Sequence, residues 1–185
     1  IDLNKTKPDR GLCQNITFAP KETVDRAALK VKGNEFDEGL MSVTFSAPKH
    51  IKNTVAAYEK WAKGTKTIIF NCNVSHSKDV HAAFLLAGYN SRHLDGSMSM
   101  TERRYILQWF AVTPDAILNN CLVATTGFDE PTIETVIMNK ATMSMAQWLQ
   151  CSGRGARPTH EKSAFTIIDM GGNALTHGDW CDARD

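Results

Sequence analysis

From Gly64 onward the chain alternates between two residue periodicities, and that alternation restricts its possible folds more than any other feature. Thr67-Ile68-Ile69-Phe70 is a β-branched, aromatic run that reads as a buried strand. Ser75 to Ser77 offers hydroxyls to cap a helix through Val80, Ala83, Phe84 and Leu86 that stops at Gly88. A second such unit follows: Ser91-Arg92-His93-Leu94 as a strand closed by Asp95-Gly96, then a helix opened by Thr101 and Glu102 with Tyr105, Ile106, Trp109 and Phe110 on its apolar face. Strands are expected at 121–125 and 132–138, a helix over about 145–156 and a last strand at 164–168. Strands and helices at this spacing specify an α/β fold, a parallel three-layer sheet with helices on both faces.

The apolar content supports one such core. Hydrophobic residues make up 42% of the 185 residues and charged residues 22%, which excludes disorder, collagen and coiled coil. The longest apolar run, residues 82–88, is far short of the roughly 20 residues that span a bilayer, so no membrane partner is expected. A formal charge of +1 leaves any nucleic-acid contact to local placement of basic groups. Five widely spaced cysteines without C-x-x-C fit a reducing, cytoplasmic setting better than a disulfide framework or a zinc knuckle. The sequons at Asn15 and Asn73 are read as chance triplets, and the start at Ile1 suggests a piece of a longer protein. Residues 1–33, with six Lys/Arg up to Lys30 and little apolar periodicity, read as an extended, solvated arm. Residues 34–42 suggest a short helix, and 49–63 a longer one ended by Gly64. The expected division is an arm or linker over 1–48, a domain over 49–180 and a tail over 181–185.

In parallel sheets ligands collect beyond the carboxyl ends of the strands, which directs attention to the loops at 71–77, 95–100, 125–131 and 169–173. Two segments carry chemistry. In Gln150-Cys151-Ser152-Gly153-Arg154-Gly155-Ala156-Arg157, two arginines three residues apart on a helical turn point the same way. Their planar, permanently charged forks suit a polyphosphate, and Gly153 and Gly155 would let the backbone approach it. The same residues also fit an ordinary helix C-terminus whose arginines complement the dipole. In Thr125-Thr126-Gly127-Phe128-Asp129-Glu130-Pro131, hydroxyls and free amides can hold a phosphate and Asp129 can accept from a ribose hydroxyl, although taken alone the segment reads better as a plain polar turn.

Taken together, these segments resemble motifs V and VI of the superfamily 2 helicases and translocases, in the order and separation of the second, C-terminal RecA-like lobe. Thr67 to Ser77 then resembles motif IV, and His93-Leu94-Asp95-Gly96 with Glu102-Arg103 resembles the segment that follows it. The similarity extends over about residues 33–180, from Gly33-Asn34-Glu35-Phe36-Asp37-Glu38 to Asp169-Met170-Gly171-Gly172-Asn173 and His177-Gly178. It is nearest to the bacterial and phage DEAD/DEAH-type group of the RadD DNA-repair ATPase and the restriction-enzyme motors.

The resemblance implies a RecA-like sheet and a role for each residue. Arg154 and Arg157 would be arginine fingers reaching ATP held mainly, with its Mg2+, by a separate N-terminal lobe, and Gln150 would couple that site to nucleic acid. Asp129 and Gly127 would contribute to nucleotide binding, Asp129 through the ribose. Asn73, Ser75, His76 and Ser77, with Gly96, Thr125 and Thr126, would line the nucleic-acid strand, DNA rather than RNA. Thr126 stands where this group usually carries an acidic residue. No G-x-x-x-x-G-K-[ST] phosphate loop is present: Lys63-Gly64-Thr65-Lys66-Thr67 imitates its end but precedes a strand, so the chain alone is expected to be inactive as an ATPase. The six histidines show no metal-ligand spacing and no metal site is expected. Trp61, Trp109 and Trp148 read as core, and Trp180 as free to pack on an absent segment. The resulting expectation is the C-terminal lobe of an ATP-dependent DNA helicase or translocase in the cytoplasm of a bacterial or phage-infected cell. The alternatives are a non-catalytic, helicase-like binding module and the motor part of a restriction enzyme.

Overall fold

The computed structural model describes residues 11–20, 24–121 and 129–182. At its centre β4 (Thr67–Asn71) is buried along its whole length. It lies between β6 (Ile117–Asn120) and β7 (Thr135–Asn139), both also fully buried. With β5 (Ser91–Leu94), β8 (Ala164–Asp169) and β1 (Gln14–Phe18), these form a six-stranded sheet among the described residues, in the order β1-β8-β7-β4-β6-β5. Every pairing in it is parallel.

Period-two alternation sends successive side chains to opposite layers. Ile69, Ile117, Ile137 and Ile168 enter one core with Phe45, Tyr58 and Phe84, whereas Ile68, Phe70, Leu118, Val136 and Ile167 enter the other with Phe110 and Trp148. Helices α1 (Glu38–Phe45), α2 (Pro48–Trp61) and α3 (Val74–Leu86) cover the first face. Helices α4 (Met100–Val112) and α5 (Met145–Ser152) cover the second. This is the three-layer α/β architecture expected, and both faces are covered because the central strands β4, β6 and β7 bury their side chains on both sides.

Local chemistry sets the ends of the elements. Asn73, rather than the serine hydroxyls, caps α3, its side chain accepting from the His76 N–H at 2.9 Å. Gly88, at φ +84°, closes that helix as Tyr89 N–H donates back to the Phe84 carbonyl. Ser99 and Glu102 form a reciprocal capping box on α4.

Four expectations shift. The helix expected at 34–42 starts at Glu38, where Asp37 caps it, and the residues before it form a hairpin of β2 (Val31–Lys32) and β3 (Glu35–Phe36). The strand expected at 121–125 lies earlier, at Ile117–Asn120. Asn119 and Asn120 resemble a turn but are buried, their amides donating to Ser91 Oγ and the Ile69 carbonyl, while 122–125 lie outside the described residues. The helix expected to reach 156 stops at Ser152 and tightens to a 3₁₀ turn over Gly153–Gly155. The N-terminal segment is extended but not free in solvent. Gln14–Phe18 pairs in register with β8, and Phe18 stacks on Trp61 with ring centroids 5.1 Å apart. Farther along it, Arg26 donates to the carbonyls of Gly171 and Thr142 at 2.8 and 2.9 Å, and Glu35 accepts from Thr142 Oγ1 and Met143 N–H.

Candidate functional site

Because the strands run one way, the sheet has an amino edge and a carboxyl edge, and the candidate residues divide between them. At the amino edge, Asp129 and Glu130 precede β7, while α5 crosses back from the end of β7 and delivers Gln150, Arg154 and Arg157 to the same place. These residues line a cleft of about 250 Å³ with Leu149 and Gly153. The expectation that the 125–131 loop sits beyond the carboxyl ends is therefore corrected for Asp129. Asp129 stands shortly before β7 rather than at the end of β6. Asp129 and Arg157 form an ion pair, both side chains about half exposed, so the pair itself contributes little stability. Thr125, Thr126 and Gly127 lie outside the described residues.

Lys162, which the sequence reading passed over, fixes this arrangement. Its Nζ donates to the carbonyls of Pro131, Ile133 and Gly155 at 2.5, 2.7 and 3.0 Å, tying the segment behind Asp129 to the turn that carries Arg154. Burial pulls this ammonium below its ordinary pKa, partly offset by Cys13, Glu134 and Glu130. The two glycines serve packing rather than ligand approach. A Cβ on Gly155 would stand 2.3 Å from the Phe165 ring, and one on Gly153 would touch the Trp180 indole. Trp180 does not await an absent segment: it packs edge-on against Phe165 and donates to the Leu149 carbonyl at 3.2 Å. Trp148 is wholly buried, as expected, and donates to the Gly178 carbonyl.

The carboxyl edge holds Asn73, Ser75 and Gly96 near solvent, but His76 and Ser77 are completely buried. The expectation that these two side chains touch a strand is corrected: they belong to a polar network inside the sheet. Thr54 Oγ1 donates to Asn139, Asn139 to Asn71 at 2.9 Å, Asn71 to Asn119 and Ser77, and Asn119 to Ser91. Ser77 Oγ lies 2.8 Å from His93 Nδ1, and His93 Nε2 lies 2.8 Å from Asp95 Oδ2. Asp95 Oδ1 accepts from the Ser97 N–H and hydroxyl. These Ser97 bonds, then His93, hold the Asp95 carboxyl well below the usual carboxylate range. The serine-histidine-aspartate order resembles a hydrolytic triad, but Ser77 is buried and out of reach of a substrate. The network instead fixes the turn that presents Gly96. Among the described residues, no group of three or more His, Cys, Asp or Glu is placed to hold a metal ion, and no helix is long and apolar enough to cross a membrane.

Two outcomes test this geometry. Gly155→Ala should cost about 1–3 kcal/mol, read as a lower urea midpoint, because Phe165 already fills the space of the added methyl. An unchanged midpoint would refute the close contact. His76 is held neutral by burial, its pKa pulled down to about 4. The unfolded chain, with a histidine near its ordinary 6.5, therefore binds the extra proton between these values. Stability should fall as pH drops through that window, and His76→Gln should flatten the loss in chemical denaturation at matched pH values.

Residues 48–159 match the family described as helicase conserved C-terminal domain. A Saccharomyces cerevisiae protein named ATP-dependent helicase IRC3 is 27% identical over 166 residues, 88% of this chain and 24% of the yeast protein. A 51.5 kDa protein of a Lactococcus phage (isolate 7-9) is 28% identical over 186 aligned positions, 92% of this chain and 40% of its own length. Among solved structures, a fragment described as the HsdR subunit of a type I restriction enzyme from Vibrio vulnificus YJ016 superposes with a TM-score of 0.71 at 21% identity. The match covers 91% of this chain and 34% of that one. The chain thus spans less than half the length of these relatives.

Proposed function

The chain belongs to the helicase conserved C-terminal domain family, with the RecA-like fold of superfamily 2 C-terminal lobes, and we propose that it is the second lobe of an ATP-dependent DNA helicase or translocase. The observation that supports this most is the amino-edge cleft, where Asp129, Gln150, Arg154 and Arg157 meet although Asp129 and Arg157 are 28 positions apart in sequence. The phosphate loop, absent from this sequence, belongs to the partner lobe.

The cleft's groups suit a triphosphate. Arg154 and Arg157 offer permanently charged donor forks to oxygens on which charge grows during phosphoryl transfer. Asp129, an acceptor only, suits ribose hydroxyls rather than phosphates. Arg157 already contacts Asp129, so a nucleotide entering the cleft must take each partner from the other. Magnesium ATP, when bound by the partner lobe, supplies the phosphoryl group and the charge that the arginines meet. Gln150, one turn before Arg154 on the same helical run, is placed to report nucleotide state to the rest of the lobe. At the carboxyl edge, Asn73, Ser75 and Gly96, with Thr125 and Thr126, would follow the strand's backbone, which carries no sequence information. DNA is assigned from the likeness of the motif set to repair and restriction motors.

In the complete protein, Arg154→Ala and Arg157→Ala should each lower nucleic-acid-stimulated ATP turnover by about a thousandfold while leaving DNA affinity within about twofold. Steady-state turnover and fluorescence anisotropy read the two effects. Full turnover in both variants would remove the arginine-finger assignment. A complete protein that binds nucleic acid without hydrolysing ATP would make the lobe a binding module.

A further inference from the structure

The stretch after the last strand braces the turn that carries the arginines. Beyond β8 the short helix α6 (Asn173–His177) ends at Gly178, whose φ of +80° turns the chain sharply. The Gly178 carbonyl accepts from the Trp148 indole, and the Asp179 N–H donates to Asp182 Oδ2 at 2.7 Å. The Asp179 carboxylate reaches the edge strand, where its Oδ1 accepts from Asn15 Nδ2 at 2.8 Å and from Thr17 Oγ1 at 2.7 Å. The same oxygen accepts from the Trp180 N–H at 2.7 Å. One carboxylate oxygen with three donors thus ties the backbone of Trp180 to β1.

What Trp180 touches gives that attachment its consequence. Its Nε1 donates to the Leu149 carbonyl at 3.2 Å, in the last turn of α5, where carbonyls lack partners within the helix. That carbonyl also accepts from the Gly153 N–H, where α5 tightens into the 3₁₀ turn. The indole lies against Gly153, so that a Cβ there would stand 3.4 Å from Nε1, and Phe165 meets it edge-on with ring centroids 5.5 Å apart. Leu149, Gly153 and Arg154 all line the amino-edge cleft. Trp180 therefore meets the backbone where the direction in which Arg154 leaves the helix is set. Lys162 fixes the Gly155 end of the same turn, and Trp180 fixes the Gly153 end.

We infer that Trp180, seated by Asp179 on β1, is a positioning residue for the arginine pair: it holds the Gly153–Gly155 turn so that Arg154 and Arg157 meet the triphosphate. This rests on the reading of the cleft as the nucleotide site, and it brings to that site two residues that no motif in the sequence contains. Phosphoryl transfer depends steeply on such placement, since a shift of about 1 Å at a reacting group costs on the order of a hundredfold in rate.

The test uses the complete protein, with turnover referred to the folded fraction of each variant. Trp180→Ala should lower kcat for nucleic-acid-stimulated ATP turnover by roughly tenfold or more, with KM for ATP within about threefold, because the partner lobe holds most of the nucleotide. Asp179→Ala, at a residue outside the cleft lining, should lower kcat in the same sense, and the double variant should fall no further than Trp180→Ala alone. Trp180→Phe keeps a ring against Gly153 and Phe165 and removes only the donor to Leu149, so it should fold normally and regain most of the turnover that Trp180→Ala loses. In protein carrying 5-fluorotryptophan, the fluorine resonance that Trp180→Phe removes should shift when a non-hydrolysable magnesium ATP analogue binds, and Arg154→Ala should abolish the shift. Unchanged kcat in Trp180→Ala overturns the brace, as do independent losses that multiply in the double variant or a fluorine resonance indifferent to the nucleotide. Full turnover in both Arg154→Ala and Arg157→Ala instead overturns the reading of the cleft beneath it.

Discussion

Strand direction is the constraint on which the rest of this molecule depends. Parallel pairing throughout the sheet requires every connection to cross a face, so each helix returns the chain to the amino edge before the next strand begins. Residues just before strands and residues just after them are thereby sorted to opposite ends of the domain. Asp129 and the two arginines gather at one end. Asn73, Gly96 and Lys140 stand at the other. Strand β7 spans the two edges, with Asp129 before its start and Lys140 after its end. On the function proposed above, nucleotide chemistry and strand contact would occupy different surfaces joined by stiff elements.

Different physical means hold the two edges. The amino edge is set by packing and a single cation. Lys162 binds three carbonyls at once, while Phe165 and Trp180 press on glycines that have no side chain to yield. The carboxyl edge is set by buried amides and hydroxyls running across four strands from Asn139 to Ser91, with Arg26 and Glu35 clamping the loops beyond β7 and β8. A polar network so enclosed is favourable only when nearly all its members are paired, and here Asn71, Asn119 and Asn139 each find partners within the network. The pairing leaves little freedom for the Gly96 turn that it supports.

Much of this architecture was legible in the sequence. The alternation of β-branched runs with amphipathic helices gives the layer order, and β4, β5 and β8 fall where the residue types place them. The misses share a cause: their residues take their meaning from neighbours distant in sequence. Gln14 to Phe18 lacks an apolar alternation because it is an edge strand, and only pairing with β8 makes it one. Asn119 and Asn120 resemble a turn until the strands beside them supply acceptors. The edge at which Asp129 stands was not legible, because its place just before β7 depends on where that strand begins. Nothing in the sequence marks Lys162, and only the three carbonyls around it identify it as a structural cation.

The central claim is that nucleotide chemistry at the amino edge is coupled to a strand held at the carboxyl edge. Steady-state ATP hydrolysis by the complete protein, measured without nucleic acid and then with single-stranded DNA, double-stranded DNA and RNA at two salt concentrations, tests it most directly. The expected result is stimulation by DNA that weakens as salt screens the phosphate contacts. A hydrolysis rate that is the same with and without every nucleic acid would contradict the coupling.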